Sequence, residues 1–205
     1  MDRLFVSATS QHDGKTTVCI GLHALFAKMG KTLRFIKPVG QRYIEEGGHK
    51  ADEDAVLFQR LFEKDVPLAS MSPVAVPRGF TQKYIFERDR DSIYRQIGAA
   101  VEQMDQAADI LLVEGTGHAG VGSVFDASNA DVAQHLGAKV LIVSQGGIGR
   151  CIDEICLNRA LFERSNVQVL GVIINKVLME KYDKVDRAVR QGLKNQGIEC
   201  FGVSG

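Results

Sequence analysis

Short apolar runs alternate with amphipathic stretches along almost the whole chain. Leu4, Phe5 and Val6 form a run that predicts a strand over residues 3–8. Val18, Leu22, Leu25, Phe26 and Met29 then fall at helical spacing, one apolar stripe of a helix over 15–29. The alternation continues with strands expected at 33–36, 110–113, 140–143, 167–174 and 198–203. Helices are expected at 52–62, around 129–136, at 149–163, and where Ile93, Ile97, Val101, Met104 and Ala108 keep helical spacing. Tyr182, Val185, Val189 and Leu193 mark the last helix. Residues 68–84 hold Pro73 and Pro77 with no clear period and read as a loop excursion. Continuous apolar strands separated by amphipathic helices predict an α/β fold, a mostly parallel sheet covered by helices on both faces.

Length fits one such domain, residues 1–205, with no repeat or linker inside it. Lysine plus arginine and aspartate plus glutamate are 25 each, so the formal net charge is zero. That argues against a general nucleic-acid coat, while a small charged-ligand site needs only a few local groups. No apolar run approaches the ~20 residues of a membrane span, so no membrane partner is expected. The four cysteines form no C-x-x-C pair, which fits reduced thiols and a cytoplasmic location.

The chemistry concentrates where strands end. Ser7 to Thr17 join the first strand to the first helix and contain Gly14-Lys15-Thr16. Backbone N–H groups of such a loop, with the helix N-terminus behind them, converge on phosphate oxygens. Lys15 would reach the β- and γ-phosphates and the Thr16 hydroxyl would ligate Mg²⁺. The motif is incomplete, since Ala8 and Thr9 stand where its first glycine belongs. Ser10, Asp13 and Thr17 complete the candidate phosphate contacts. Glu114 ends the strand 110–113 and is followed by Gly115-Thr116-Gly117, where open α/β sheets bind ligands. It is a candidate Mg²⁺ ligand, or else a surface strand cap. Asp54 is a second candidate, in competition with Asp52 and Glu53, and helix-dipole acids would look the same. Lys37 at the end of the second strand either meets a phosphate or acidic substrate group or is solvated. Asn175 offers one donor and one acceptor edge, which matches adenine. The Asn-Lys-x-Asp signature of guanine readers is missing its acid, because Leu178 stands there. ATP is therefore expected over GTP.

These residues carry a resemblance. Ser7 to Thr17, Lys37-Pro38-Val39, Asp54-Ala55, Glu114-Gly115-Thr116-Gly117 and Val172-Ile173-Ile174-Asn175 stand in the order and approximate spacing of dethiobiotin synthetases. The chain resembles that P-loop family over nearly its whole length. Similar relatives include cobyrinic acid a,c-diamide synthases and the N-terminal domain of long phosphate acetyltransferases. The resemblance implies a three-layer P-loop nucleoside triphosphatase fold and an ATP- and Mg²⁺-dependent ligase. In the synthetases, CO₂ carbamates a diamine, the carbamate takes the γ-phosphoryl group, and the second amine closes a cyclic urea. By resemblance, Lys15 and Lys37 are catalytic, Thr16, Asp54 and Glu114 hold Mg²⁺, and Asn175 reads adenine. A homodimer and a small-molecule substrate follow by the same analogy, as does a chain that forms the N-terminal part of something longer.

The substrate side departs from the synthetases. His12 replaces an acid in the phosphate loop, Gly40-Gln41-Arg42 follows Lys37-Pro38-Val39, and residues 66–80 lack the expected diamine-binding pattern. These segments look more like the phosphate acetyltransferase domains, as does the loop 115–123. Gly117 and His118 there are candidate substrate contacts, His118 equally a solvent-facing loop residue. The alternative function is a nucleotide-binding regulatory domain without synthetase turnover. A partitioning or metallocluster-carrier ATPase fits less well, since residues 7–13 lack the second lysine such loops carry.

Overall fold

The computed structural model describes residues 1–105 and 108–205. In chain order its elements are β1 (Asp2–Ala8), α1 (Lys15–Lys28), β2 (Leu33–Ile36), β3 (Val39–Gly40), β4 (Tyr43–Glu46), β5 (His49–Asp52), α2 (Glu53–Leu61), α3 (Leu68–Met71) and β6 (Val74–Ala75). There follow α4 (Phe80–Phe86), α5 (Arg90–Asp105), β7 (Ile110–Glu114), α6 (Asn129–His135), β8 (Lys139–Gln145), α7 (Gly149–Arg164), β9 (Val169–Asn175), α8 (Tyr182–Asn195) and β10 (Cys200–Val203).

Six strands form one sheet in the order β10-β9-β8-β1-β7-β2, every neighbour parallel. Consecutive residues in β7 (Leu111, Leu112, Val113) and β8 (Val140 to Val143) are all buried. Successive side chains point to opposite faces, so both faces of the sheet are covered. The helices α1, α2, α7 and α8 pack along it. Phe35 stacks on Phe58 at 3.7 Å between centroids, tying α2 to β2.

The order places the site. From β1 the chain runs out to edge strand β2 and back to β7, and only later crosses to β8 on the other side of β1. Sequence order therefore reverses around β1, and the crevice beyond the carboxyl ends of β1, β7 and β8 is where such sheets take ligands. Val6 pairs with Glu114 and Ile36 with Val113. Lys37, one residue on, thereby comes level with Glu114.

Two expectations are corrected, and a third runs outside the described residues. Leu25 and Met29 of α1 are 52% and 64% exposed, while Val18 and Leu22 of the same stripe pack against the core, so only the far end of the stripe turns away from the sheet. The fully buried positions of the helix are Lys15 and Cys19, and its first turn aims Lys15 into the crevice. Residues 68–84 form α3, β6 and most of α4 rather than a bare loop, with β6 pairing β3. Helix α5 ends at Asp105, and the expected continuation towards Ala108 passes through 106 and 107, outside the described residues. The sequence pattern also gave no sign of the β4–β5 hairpin. Its turn residues Gly47 and Gly48 have φ of 61° and 80°, the left-handed pair a tight hairpin requires.

Candidate active site

The phosphate loop is braced from within and from the neighbouring strands. Asp13 is buried, and its Oδ2 accepts from the Thr9 hydroxyl (2.9 Å) and the Ser10 N–H (2.7 Å). Thr9 also meets Ser144 of β8 at 3.0 Å. From the end of β9, Asn175 Nδ2 donates to the Asp13 carbonyl at 2.9 Å, and Lys176 Nζ donates to the carbonyl of His12. Gly14 takes φ 95°, and a Cβ there would lie 2.1 Å from Asn175 Nδ2. Only glycine fits both the conformation and the space. Helix α1 begins directly behind it, its N-terminal N–H groups uncapped by any side chain.

Lys15, Thr16, Lys37, Asp54 and Glu114 converge in front of this loop. Lys37 Nζ lies 2.7 Å from Asp54 Oδ2 and 2.9 Å from Glu114 Oε1. The Thr16 hydroxyl lies 3.0 Å from Asp54 Oδ1 and 3.1 Å from Glu114 Oε1. Asp52 caps α2, accepting from the Asp54 N–H at 3.1 Å, which fixes the turn that aims Asp54 at Lys37. All five converging residues line one cavity of about 650 Å³, with Gln41, Arg42, Thr116 and Gly117 on the wall.

Burial and charge act against each other here. Burial lowers the Lys15 ammonium below its ordinary pKa, and Lys37 repels it further. Burial also works against charge on Lys37, but Glu114 and Asp54 outweigh it and hold the ammonium protonated, above its ordinary range. Glu114 is fully buried, which pushes its carboxyl up against the pull of Lys37. Asp54 is less enclosed. There burial would raise the carboxyl, yet Lys37 and the Thr16 hydroxyl pull it down.

A hard divalent cation needs oxygen donors, and Thr16, Asp54 and Glu114 supply them. Glu114 Oε2 is buried with no hydrogen-bond partner. Among the described residues no group of three or more His, Cys, Asp and Glu side chains could hold a metal alone. The donor set thus fits a cation that arrives with phosphate oxygens of its own.

Ser10, Asp13 and Asn175 stand behind the cavity wall as braces, while Thr17 lines it. Gly117 reaches the wall, whereas His118 is exposed outside it, its Nδ1 accepting from the Gly120 N–H at 3.2 Å. Two asparagines that sequence reasoning passed over hold that loop. Asn129 accepts from the Thr116 N–H (3.1 Å) and donates to the carbonyls of Thr116 (2.8 Å) and His118 (2.7 Å). Asn158 of α7 accepts from the Ala119 N–H at 2.8 Å. Ser128-x-x-Asp131, a capping box at the start of α6, was a legible sign that Asn129 opens a helix against the loop.

An AAA-domain family profile (AAA_26) matches residues 2–203. The chain belongs to this family. As an AAA-domain chain it is 28% identical over 209 residues to the ATP-dependent dethiobiotin synthetase of Methanocaldococcus jannaschii, covering 98% of this chain and 92% of that one. It is 23% identical over 187 residues to a phosphate acetyltransferase of Nitratidesulfovibrio vulgaris, covering 89% of this chain but 26% of that one. A plasmid partition protein of Borrelia burgdorferi, solved with AMPPNP bound, superposes with a TM-score of 0.62 over 98% of this chain and 85% of that one, at 11% identity. The P-loop fold expected from the sequence is the fold of this AAA-domain protein. No helix among the described residues is long and apolar enough to cross a membrane.

Proposed function

We propose that the chain is an ATP- and Mg²⁺-dependent ligase of the dethiobiotin synthetase type, activating a carboxylate or carbamate by phosphoryl transfer. The observation that carries this reading is Lys37, a buried cation fixed between Asp54 and Glu114 and level with Lys15 and Thr16. In this reading the loop N–H groups and Lys15 bind the β- and γ-phosphates, and Thr17 supports the loop's phosphate side. Asn175 turns the free part of its amide to adenine. Thr16, Asp54 and Glu114 hold Mg²⁺, which when bound draws charge from the phosphoryl oxygens. Lys37 stands beside the position of the transferring phosphoryl group, so its ammonium offsets charge on that group and on the attacking carboxylate or carbamate. Positioning and electrostatic stabilisation of this sort dominate phosphoryl transfer. Gly117 lets backbone approach the small-molecule substrate, with His118 at the rim. A homodimer in the cytoplasm completes the proposal.

The direct test incubates purified protein with ATP, bicarbonate and 7,8-diaminopelargonate and assays ADP and dethiobiotin by mass spectrometry. Formation of both is expected, and ATP binding without either product would remove the synthetase reading. The 23% identity to one quarter of a phosphate acetyltransferase favours a second reading, a nucleotide-binding regulatory domain. Gln41 and Arg42 on the cavity wall, where the synthetases differ, point the same way. Calorimetric ATP binding with no diamine-stimulated ADP release would establish it.

A further inference from the structure

The two carboxylates offered to the metal already hold a cation. Lys37 Nζ is within 2.9 Å of both Asp54 and Glu114, and its side chain is only 5% exposed. The same two carboxylates receive the Thr16 hydroxyl. Four groups thus form a closed cluster without any ligand: one ammonium, one hydroxyl and two carboxylates. A bare dication entering it would meet the Lys37 ammonium at close range, and the burial of Lys37 and Glu114 weakens the screening between the two charges. Nucleotide changes that balance, because its phosphate oxygens give the ammonium a new anionic partner as the carboxylates are released.

We propose that Lys37 is an internal counter-cation that holds the metal carboxylates in the nucleotide-free protein and keeps a bare divalent cation out, so that metal enters together with nucleotide. Lys37 then has two positions. In the free protein it bridges Asp54 and Glu114. With nucleotide it moves onto phosphate oxygen and leaves Glu114 to the cation. Lys37 holds Glu114 through Oε1 alone, and Oε2 of the same carboxylate has no hydrogen-bond partner. The proposal rests on the nucleotide reading only for its second half. Exclusion of the bare ion is a property of the free chain.

Mn²⁺ is the probe, its free fraction read by electron paramagnetic resonance on the whole chain without nucleotide. Removing the competing charge in Lys37→Met or Lys37→Gln is expected to tighten Mn²⁺ binding about tenfold or more, and Lys37→Arg to leave it as weak as in the wild type. Adding Glu114→Gln to Lys37→Met is expected to abolish the gain. Circular dichroism and melting curves identify a variant that fails to fold, and the glutamine variant keeps a polar group of similar reach. Equal Mn²⁺ affinity for wild type, Lys37→Met and Lys37→Gln, or no Mn²⁺ binding to either variant, would overturn the proposal. With AMPPNP present, wild type and Lys37→Gln are expected to bind Mn²⁺ within about threefold of each other, less than half the free-state gap on a logarithmic scale. Failure of AMPPNP to bind at all would sink the nucleotide reading while the free-state comparison still decides exclusion.

Discussion

Lys15 and Asn175 show how one loop is held from two sides. Lys15 is buried, pulled below its ordinary pKa, and aimed into the cavity by the first turn of α1. In the proposed reading, phosphate adds to the compensation that Glu114, Asp13 and Asp54 already give its charge. Lys15→Ala is therefore expected to lower Mg-ATP affinity by roughly 2 kcal/mol or more, the scale of a charged hydrogen bond. Isothermal titration calorimetry measures it, and an unchanged Kd would displace the nucleotide from this loop. Asn175 differs, because its amide already donates to the Asp13 carbonyl. Asn175→Ala should thus weaken binding of tripolyphosphate, which has no base, by roughly 1 kcal/mol. ATP should lose more, the excess being the contact with adenine. No loss with tripolyphosphate would mean that the brace does not matter to the loop. Sequence alone pointed to the side-chain chemistry of both residues. That the Asn175 amide also supports the loop needs the crossing from β9 to β1, separated by more than 150 residues.

The six strands of the main sheet and the longer helices are both legible in the sequence, while the short strands β3 to β6 are not. β2 matches its expected bounds, and β1, β7 and β8 differ by a few residues, because buried strands read as unbroken apolar runs. Helix α1 lies where its stripe predicts, and the stripe faces the core at Val18 and Leu22 but not at Leu25 and Met29. Its fully buried positions, Lys15 and Cys19, lie outside that stripe. The pieces at 68–86 are too short to show a period, and α3 spans only four residues. The site followed the same logic: residues at strand ends could be named, but those that hold a loop in place could not. Asn129 tests that second class. It is 6% exposed and makes three hydrogen bonds to the loop that follows β7. Asn129→Ala leaves the half-buried backbone groups of Thr116 and His118 without their side-chain partner and is expected to cost about 1–3 kcal/mol. Urea unfolding monitored by circular dichroism reads the cost. A change below about 0.5 kcal/mol would mean that the loop keeps its shape by other contacts.

At the scale of the molecule, equal numbers of acids and bases leave no large net repulsion near neutral pH, so individual buried groups set how stability varies with pH. Glu63 is the outstanding one away from the site. It follows α2, is 1% exposed, and neither carboxylate oxygen has a hydrogen-bond partner. Burial raises it from 4.5 to about 8, against the pull of Arg34. Between those two values the folded chain keeps a proton that the unfolded chain releases. Its contribution to stability is therefore complete below about pH 4.5 and is lost as pH rises through 8, by as much as about 5 kcal/mol. His23 and His135 act in the opposite sense. Burial lowers both, so their contribution is lost as pH falls through the unfolded value and below. Asp52 and Glu114, raised by burial, act with Glu63. The wild-type curve mixes these, so the informative quantity is the difference from Glu63→Gln, which cannot ionise. Urea unfolding of both proteins from pH 5 to 9 should show the variant gaining on the wild type steadily up to about pH 8 and running parallel to it beyond. A difference that stays constant across that range would mean that Glu63 titrates near its ordinary value, and the surroundings of its carboxylate would then have to admit water.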